Sequence, residues 1–241
     1  MSGSPSRRSW VVAVAAALGI AVTLALGAWQ MSRAGQKLEL QAAIEGRQSM
    51  TPLDGQSLLA EDPRPWVHRP VVLRGTWLGH HTVFLDNRQM QGKPGFYVLT
   101  PLKLEGGDKA VLVERGWVQR NFIDREKLPE VATPGGAVEL RGRLAPRPAK
   151  LYQFGEAGSG IIRQNLDLAA YRMETGLPLL DVSVRQTAGP ADGLLREWPE
   201  PATGVEKHYG YAAQWWALSI LIAVLYAWFQ FIAPRRKASR A

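Results

Sequence analysis

The residues of this chain best equipped for chemistry stand at the ends of two apolar segments. One end reads Gly27-Ala28-Trp29-Gln30-Met31-Ser32-Arg33-Ala34-Gly35-Gln36-Lys37, the other Glu206-Lys207-His208-Tyr209-Gly210-Tyr211-Ala212-Ala213-Gln214-Trp215-Trp216. A helix beginning near Lys207 puts His208, Tyr211, Ala212, Trp215 and Leu218 on one face, at i, i+3, i+4, i+7 and i+10. An imidazole, a phenol and an indole then line one stripe, and Trp29, Gln30 and Arg33 reach the same depth. Such a set suits a planar amphipathic ligand with an acidic edge. Imidazole ligates haem iron, aromatic faces stack on the ring, and Arg33 or Lys37 can pair with propionates. The second imidazole nitrogen would donate to a carbonyl or carboxylate, with Glu206 a nearby candidate. Trp and Tyr are equally ordinary interfacial anchors and a single His is commonly structural, so the residues alone leave both readings open.

The elements that position this set are membrane spans by composition. Ser9 to Ser32 is 24 residues without a charge and Tyr209 to Pro234 is 26; about 20 apolar residues suffice to cross the hydrocarbon core. Trp10, Trp29, Trp215, Trp216 and Trp228 fall towards the ends of these runs, as interfacial aromatics do, and Pro234 stops the second. Arg7 and Arg8 with Ala25-Leu26-Gly27 resemble a cleavable leader, and Ser6-Arg7-Arg8 a twin-arginine one. The apolar stretch is longer than a usual leader core, so retention as an anchor is expected. Residues 10–31 and 210–233 are expected to span the membrane, between tails at 1–9 and 234–241 and around a domain at 32–209.

Charge gives the expected orientation. The net charge is +8, from 29 basic and 21 acidic residues. Arg7, Arg8, Arg235, Arg236, Lys237 and Arg240 lie in the tails, so the remainder is almost balanced. A basic stripe on the folded part, the signature of a nucleic-acid binder, is absent from this distribution. Basic residues flanking both spans predict cytoplasmic termini, with the long central segment across the membrane, in a bacterium the periplasm.

The central segment changes period. Arg33 to Gln48 has good helix formers and extends the first span. Prolines at 52, 63, 65 and 70 mark a loop. Val71 to Leu78 and His81 to Arg88 read as strands joined by a two-residue hairpin turn at Gly79-His80. Further strands follow at Gly95 to Leu102, Ala110 to Gln119, Ala137 to Leu144, Ile161 to Gln164 and Leu179 to Gln186, with a short helix capped by Asp167 and reaching Glu174. Gly92 and Gly95 bracket Lys93-Pro94 as a turn, Gly75 and Gly116 allow close backbone approach, and Gly189 to Gly204 is a linker. The predicted fold class is therefore an α+β membrane protein, two transmembrane helices flanking an antiparallel β-rich sheet or small barrel.

Several chemistries are excluded. With no Cys there is no thiol nucleophile, disulfide or thiolate metal site. The common phosphate-loop, dinucleotide, serine-hydrolase and zinc-protease motifs are missing, so no enzyme is expected. His68, His80 and His81 hint at copper, but copper(I) favours Cys and Met, and His80-His81 read more simply as turn residues. Arg115 shares strand parity with Val111, Val113 and Trp117; on a buried face it needs a carboxylate partner, which makes a structural ion pair the favoured reading.

One ordered set of short motifs is more specific. It comprises Gly27-x-Trp29-Gln30-x-x-Arg33-x-x-x-Lys37, Arg69-Pro70-Val71-x-Leu73-x-Gly75, Arg88-x-x-x-Gly92-x-x-Gly95, Thr100-Pro101-Leu102, Leu112-Val113-x-Arg115-Gly116-Trp117-Val118 and His208-x-x-Tyr211-Ala212-x-x-Trp215. Flanked by two spans, it resembles the Surfeit-locus (Surf/Shy) cytochrome c oxidase assembly proteins. Glu114, Glu206-Lys207 and Tyr209 depart from the usual pattern. The resemblance implies an assembly factor that binds haem a and passes it to oxidase subunit I, with haem a synthase as a further partner and His208 as axial ligand. Tyr211, Trp215, Trp29, Gln30, Arg33 and Lys37 complete the expected cofactor site. A cofactor-free adaptor for oxidase subunits is the alternative.

Overall fold

Alternating Val, Leu and Gly residues give the central part of the chain a two-residue period, and in the computed structural model that period becomes a ring of strands. The structure describes residues 7–124, 127–152, 160–189, 192–199 and 204–233, the side chains of Arg7 and Arg8 apart. Pro234, the basic residues 235–240, and positions 190–191 and 200–203 of the expected linker lie outside the described residues. The chain divides into two units, one made of Met1–Ala43 with Pro201–Ala241 and the other of Ile44–Glu200.

The first unit holds most of one long helix and the whole of a second. Helix α1 runs Arg7–Gln48 without interruption, as the helix-forming stretch after the first apolar run predicted. At about 1.5 Å per residue it is roughly twice as long as the hydrocarbon core is thick. The second long helix, α4 (Val205–Ala227), starts from Gly204 in the left-handed conformation and passes into a π turn at Trp228–Ile232. Both are long and apolar enough to cross a membrane, with very little of either apolar stretch buried.

The second unit contains helices α2 (Gly55–Ala60) and α3 (Leu168–Thr175) and strands β1 (Pro70–Trp77), β2 (Val83–Met90), β3 (Lys93–Leu104), β4 (Ala110–Gln119), β5 (Ala137–Ala145), β6 (Ile162–Arg163) and β7 (Leu179–Ala188). The strand order is β1-β5-β7-β4-β3-β2-β6, and β1 also pairs with β3. That extra pairing closes β1, β5, β7, β4 and β3 into a five-stranded ring. Strands β5, β1, β3 and β4 are neighbours in the Greek-key order, and β7 closes the gap between β5 and β4. Gly75 makes the closure possible: it pairs with Leu104, and a Cβ there would overlap the Lys103 carbonyl oxygen.

Three expectations are corrected. The sheet is mixed: β4 pairs parallel with β7, and β2 with β6. An odd ring cannot be antiparallel throughout, because alternating directions leave one pair of neighbours pointing the same way. Strands β1 and β2 form no hairpin. A 3-10 turn over Gly79–His81 separates them, and they pair with different ends of the 12-residue β3. The turn before β3 is Gln91-Gly92, both at positive φ, while Lys93 and Pro94 already belong to the strand.

The ring interior is filled by Val71, Leu73, Leu102, Val111, Val113, Leu140, Leu144, Val182 and Val184. A second cluster packs α3 against the outside of the ring through Leu168 and Tyr171 on Val83, Leu85, Leu99 and Leu112. Strand β4 is therefore buried on both faces, which is why its sequence AVLV does not alternate. Asp167 caps α3 as expected, accepting from the amides of Ala169 and Ala170.

Candidate functional site between the two long helices

Small residues set the approach of α1 to α4. On α1, Thr23, Gly27 and Ala34 are buried; on α4, Val205, Ala212 and Ser219 are. The spacings, four and seven residues on α1 and seven and seven on α4, keep each set on one stripe of its helix. The helices run antiparallel. Gln230 Nε2 donates to Ser9 Oγ at 2.5 Å, Gly19 faces Ile222, and Gly27 faces the Trp216 indole. The Thr23 hydroxyl turns back to the Gly19 carbonyl at 2.8 Å, so it leaves no unsatisfied group in the apolar interface.

At the far end of this seam His208 Nδ1 lies 2.7 Å from Gln30 Oε1. Two of the expected site residues, 178 positions apart in the sequence, are thus in direct contact. The imidazole's partner is Gln30 rather than Glu206. Arg33 lies 6.0 Å from the Trp29 ring centroid, at the outer limit of a cation–π contact, and its guanidinium donates to Gln36 Oε1 at 3.0 Å. Trp215 is half-buried, on the same side of α4 as His208 and Ala212. Tyr211 and Leu218 are 52 % and 41 % exposed and stand outside the buried stripe, so the stripe is narrower than its spacing suggested. Lys37 is exposed one turn beyond Arg33.

His208 offers a single nitrogen donor. Among the described residues no group of three or more His, Asp or Glu comes together as a metal cage. A bare zinc or copper ion needs several protein ligands, whereas a porphyrin supplies four nitrogens of its own and needs only an axial one. The donor set, the indoles of Trp29 and Trp215 and the Arg33 guanidinium fit a haem in chemical type.

His80 and His81 have structural surroundings. The His80 and His81 rings lie 4.0 Å apart, tilted by 48°, in the 3-10 turn. Burial, followed by the neighbouring His80, holds the His81 imidazole below its ordinary pKa. The His81 carbonyl accepts from the Tyr171 hydroxyl, and burial pushes that phenol up to about 12.

Arg115 is a structural ion-pair residue, as expected, but by a different route. Leu99 pairs with Glu114 and Val98 with Gly116, so Arg115 is the extra residue of a β-bulge and strict strand parity stops there. Its guanidinium donates to the Ala132 carbonyl at 2.7 Å and to Thr133 Oγ1 at 3.0 Å. It lies 4.8 Å from the Trp77 ring centroid and 3.8 Å from Asp192, both side chains of the pair being almost fully buried. Sequence reasoning missed the neighbouring Glu114, which receives Ser183 Oγ at 2.7 Å and Arg185 Nε at 3.1 Å. An acid inside an apolar strand was the available signal, because a buried carboxylate requires such donors.

Comparison with known proteins gives a consistent result. The sequence model of the SURF1 family matches residues 17–220. The cytochrome oxidase assembly protein SHY1 of Saccharomyces cerevisiae is 28% identical over 116 residues, covering 47% of this chain and 30% of that protein. A SURF1-like protein of Drosophila melanogaster is 28% identical over 236 residues, 89% of this chain and 75% of its own length. Surfeit locus protein 1 of Rattus norvegicus is 28% identical over 240 residues, 89% and 74% respectively. The chain thus spans under a third of the yeast protein and about three quarters of the other two.

Proposed function

This chain belongs to the SURF1 family, and from that membership we propose that it is a membrane-anchored assembly factor for cytochrome oxidase that holds haem a through His208 and assists its transfer to oxidase subunit I. The yeast relative's name supports the assembly role. The observation that carries the haem reading is the single imidazole held by Gln30 between two apolar helices, with aromatic and guanidinium groups at the same level.

Haem a would supply an iron that accepts a nitrogen donor. His208 provides the nitrogen, Gln30 orients the ring, Trp29 and Trp215 offer flat apolar surface, and Arg33 and Lys37 offer charge for propionates. Tyr211 contributes from the flank. The protein acts as a carrier and performs no catalysis. It sits in a bacterial inner membrane with both termini cytoplasmic and the β-ring unit periplasmic, as the basic residues beyond both apolar runs support. Haem a synthase is the donor-side partner and subunit I the acceptor.

The test is the absorption spectrum of the purified full-length chain supplied with haem a. The wild type should show a shifted, ligated spectrum. His208→Ala should lose or alter it while keeping normal membrane levels, and Tyr211→Ala and Trp215→Ala should weaken it less. A His208→Ala protein with wild-type haem content and spectrum would overturn the ligand assignment and leave the cofactor-free adaptor as the better account.

A further inference from the structure

We infer that Gln30 is a positioning residue that locks His208 in one tautomer and makes Nε2 the ligating atom; the inference rests on the haem reading above. The 2.7 Å contact joins His208 Nδ1 to Gln30 Oε1. An amide oxygen can only accept, so Nδ1 must carry the hydrogen. A neutral imidazole has one such hydrogen, and Nε2 is left with its lone pair. The opposite tautomer sets two lone pairs against each other at Nδ1 and puts a hydrogen where the ligand nitrogen is needed.

The surroundings favour a fixed arrangement. Ala34, one turn beyond Gln30 on α1, and Ala212, one turn beyond His208 on α4, are each 1 % exposed. Small buried neighbours leave room for the two longer side chains to meet. Gly27, one turn before Gln30, takes the Trp216 indole of α4 against its backbone. The bond between Gln30 and His208 is therefore seated in the seam rather than formed between two loose side chains. Each helix supplies one half of it, so the nitrogen donor is correctly presented only while α1 and α4 are paired.

The experiment supplies haem a to the full-length chain in detergent and reads affinity, absorption spectrum and reduction potential. Gln30→Leu removes the acceptor. It should lower haem a affinity roughly 10- to 100-fold, the usual effect of losing a partner behind a metal ligand, with unchanged membrane level and helix content. Gln30→Glu keeps an acceptor-only group. It should retain the ligated spectrum and shift the potential to a more negative value, because an anionic partner raises imidazole basicity. Gln30→Lys presents a donor only and should behave like Gln30→Leu. If His208→Ala loses the spectrum while Gln30→Leu and Gln30→Glu keep wild-type affinity and potential, the positioning role is wrong and the haem ligand stands. If Gln30→Glu fails as badly as Gln30→Leu, the acceptor assignment is wrong. If His208→Ala itself keeps the spectrum, the haem reading falls and this inference falls with it.

Discussion

The Trp216 indole occupies the space that a Cβ at position 27 would fill. Gly27 is thus a contact surface of α1, because only a residue without a side chain lets the indole rest on its backbone. In a membrane, where apolar burial gives helices little reason to pair, such close approach is a principal source of association.

Gly27→Val should therefore separate the helix pair while leaving each helix intact. The chain has no Cys, so a disulfide probe carries no background. With Ser9→Cys and Gln230→Cys introduced together, oxidative crosslinking on a non-reducing gel should be efficient in the Gly27 protein and fall several-fold in the Gly27→Val protein. Equal crosslinking in both would show that the seam tolerates a side chain there.

Asp192 neutralises a guanidinium that has almost no access to water. It lies 3.8 Å from Arg115 and 2.6 Å from Arg196. Burial lowers the Arg115 pKa, and Asp192 works against that shift. Removing one partner of a buried pair strands the other at a cost of about 3–5 kcal/mol. Asp192→Ala should lower the urea midpoint of the β-ring unit sharply, and Asp192→Asn less, since it retains a hydrogen-bond acceptor.

Asp167 should give α3 an acid-sensitive cap. Lys150 Nζ at 2.8 Å, with the amides of Ala170 and Ala169, holds its carboxyl down at about 2. An unfolded Asp titrates at about 3.9, so the stabilisation is complete above about pH 5 and fades as pH falls towards 2. At pH 7 Asp167→Ala should cost about 1 kcal/mol. Its deficit against the wild type should narrow below pH 4 and in high salt, because the carboxylate is 40 % exposed. Thermal melts across that pH range would read both effects.

Orientation has a direct assay. Alkaline phosphatase fused after Gly193 should be active, because the enzyme needs export, and a fusion after Arg236 should be inactive. The reverse pattern would overturn the assignment of both termini to the cytoplasm.

Local pattern carried most of the strands and little of their pairing. Ala110 to Gln119 was legible to the residue as a strand, and Asp167 as a cap, because both follow from neighbours in the sequence. Val71 and Val83 were legible as strand residues too, but not that their strands share one edge of β3, because pairing depends on contacts that local period does not encode. The parallel β4–β7 pair is a property of the ring as a whole. At the candidate site, His208 and Gln30 were both recognised by residue type. Residue type does not give their contact, and nearness in sequence offers Glu206 as a candidate instead. Tyr211 shows the limit of ideal helical spacing: i+3 from His208 falls at the stripe's edge, and the narrow seam leaves it outside.

The order of strands in the ring has a kinetic consequence. Strand β7, the last strand of the described unit, lies between β4 and β5. Until residues 179–188 are available, each of these strands keeps an open edge, and an open edge is a template for pairing with another chain. Ring closure must await nearly the whole unit, through contacts of high sequence separation that slow folding. During synthesis the closing strand emerges shortly before α4. Completion of the ring and emergence of the second apolar helix are therefore consecutive events, and a delay in the first prolongs exposure of both edges while the second is under way.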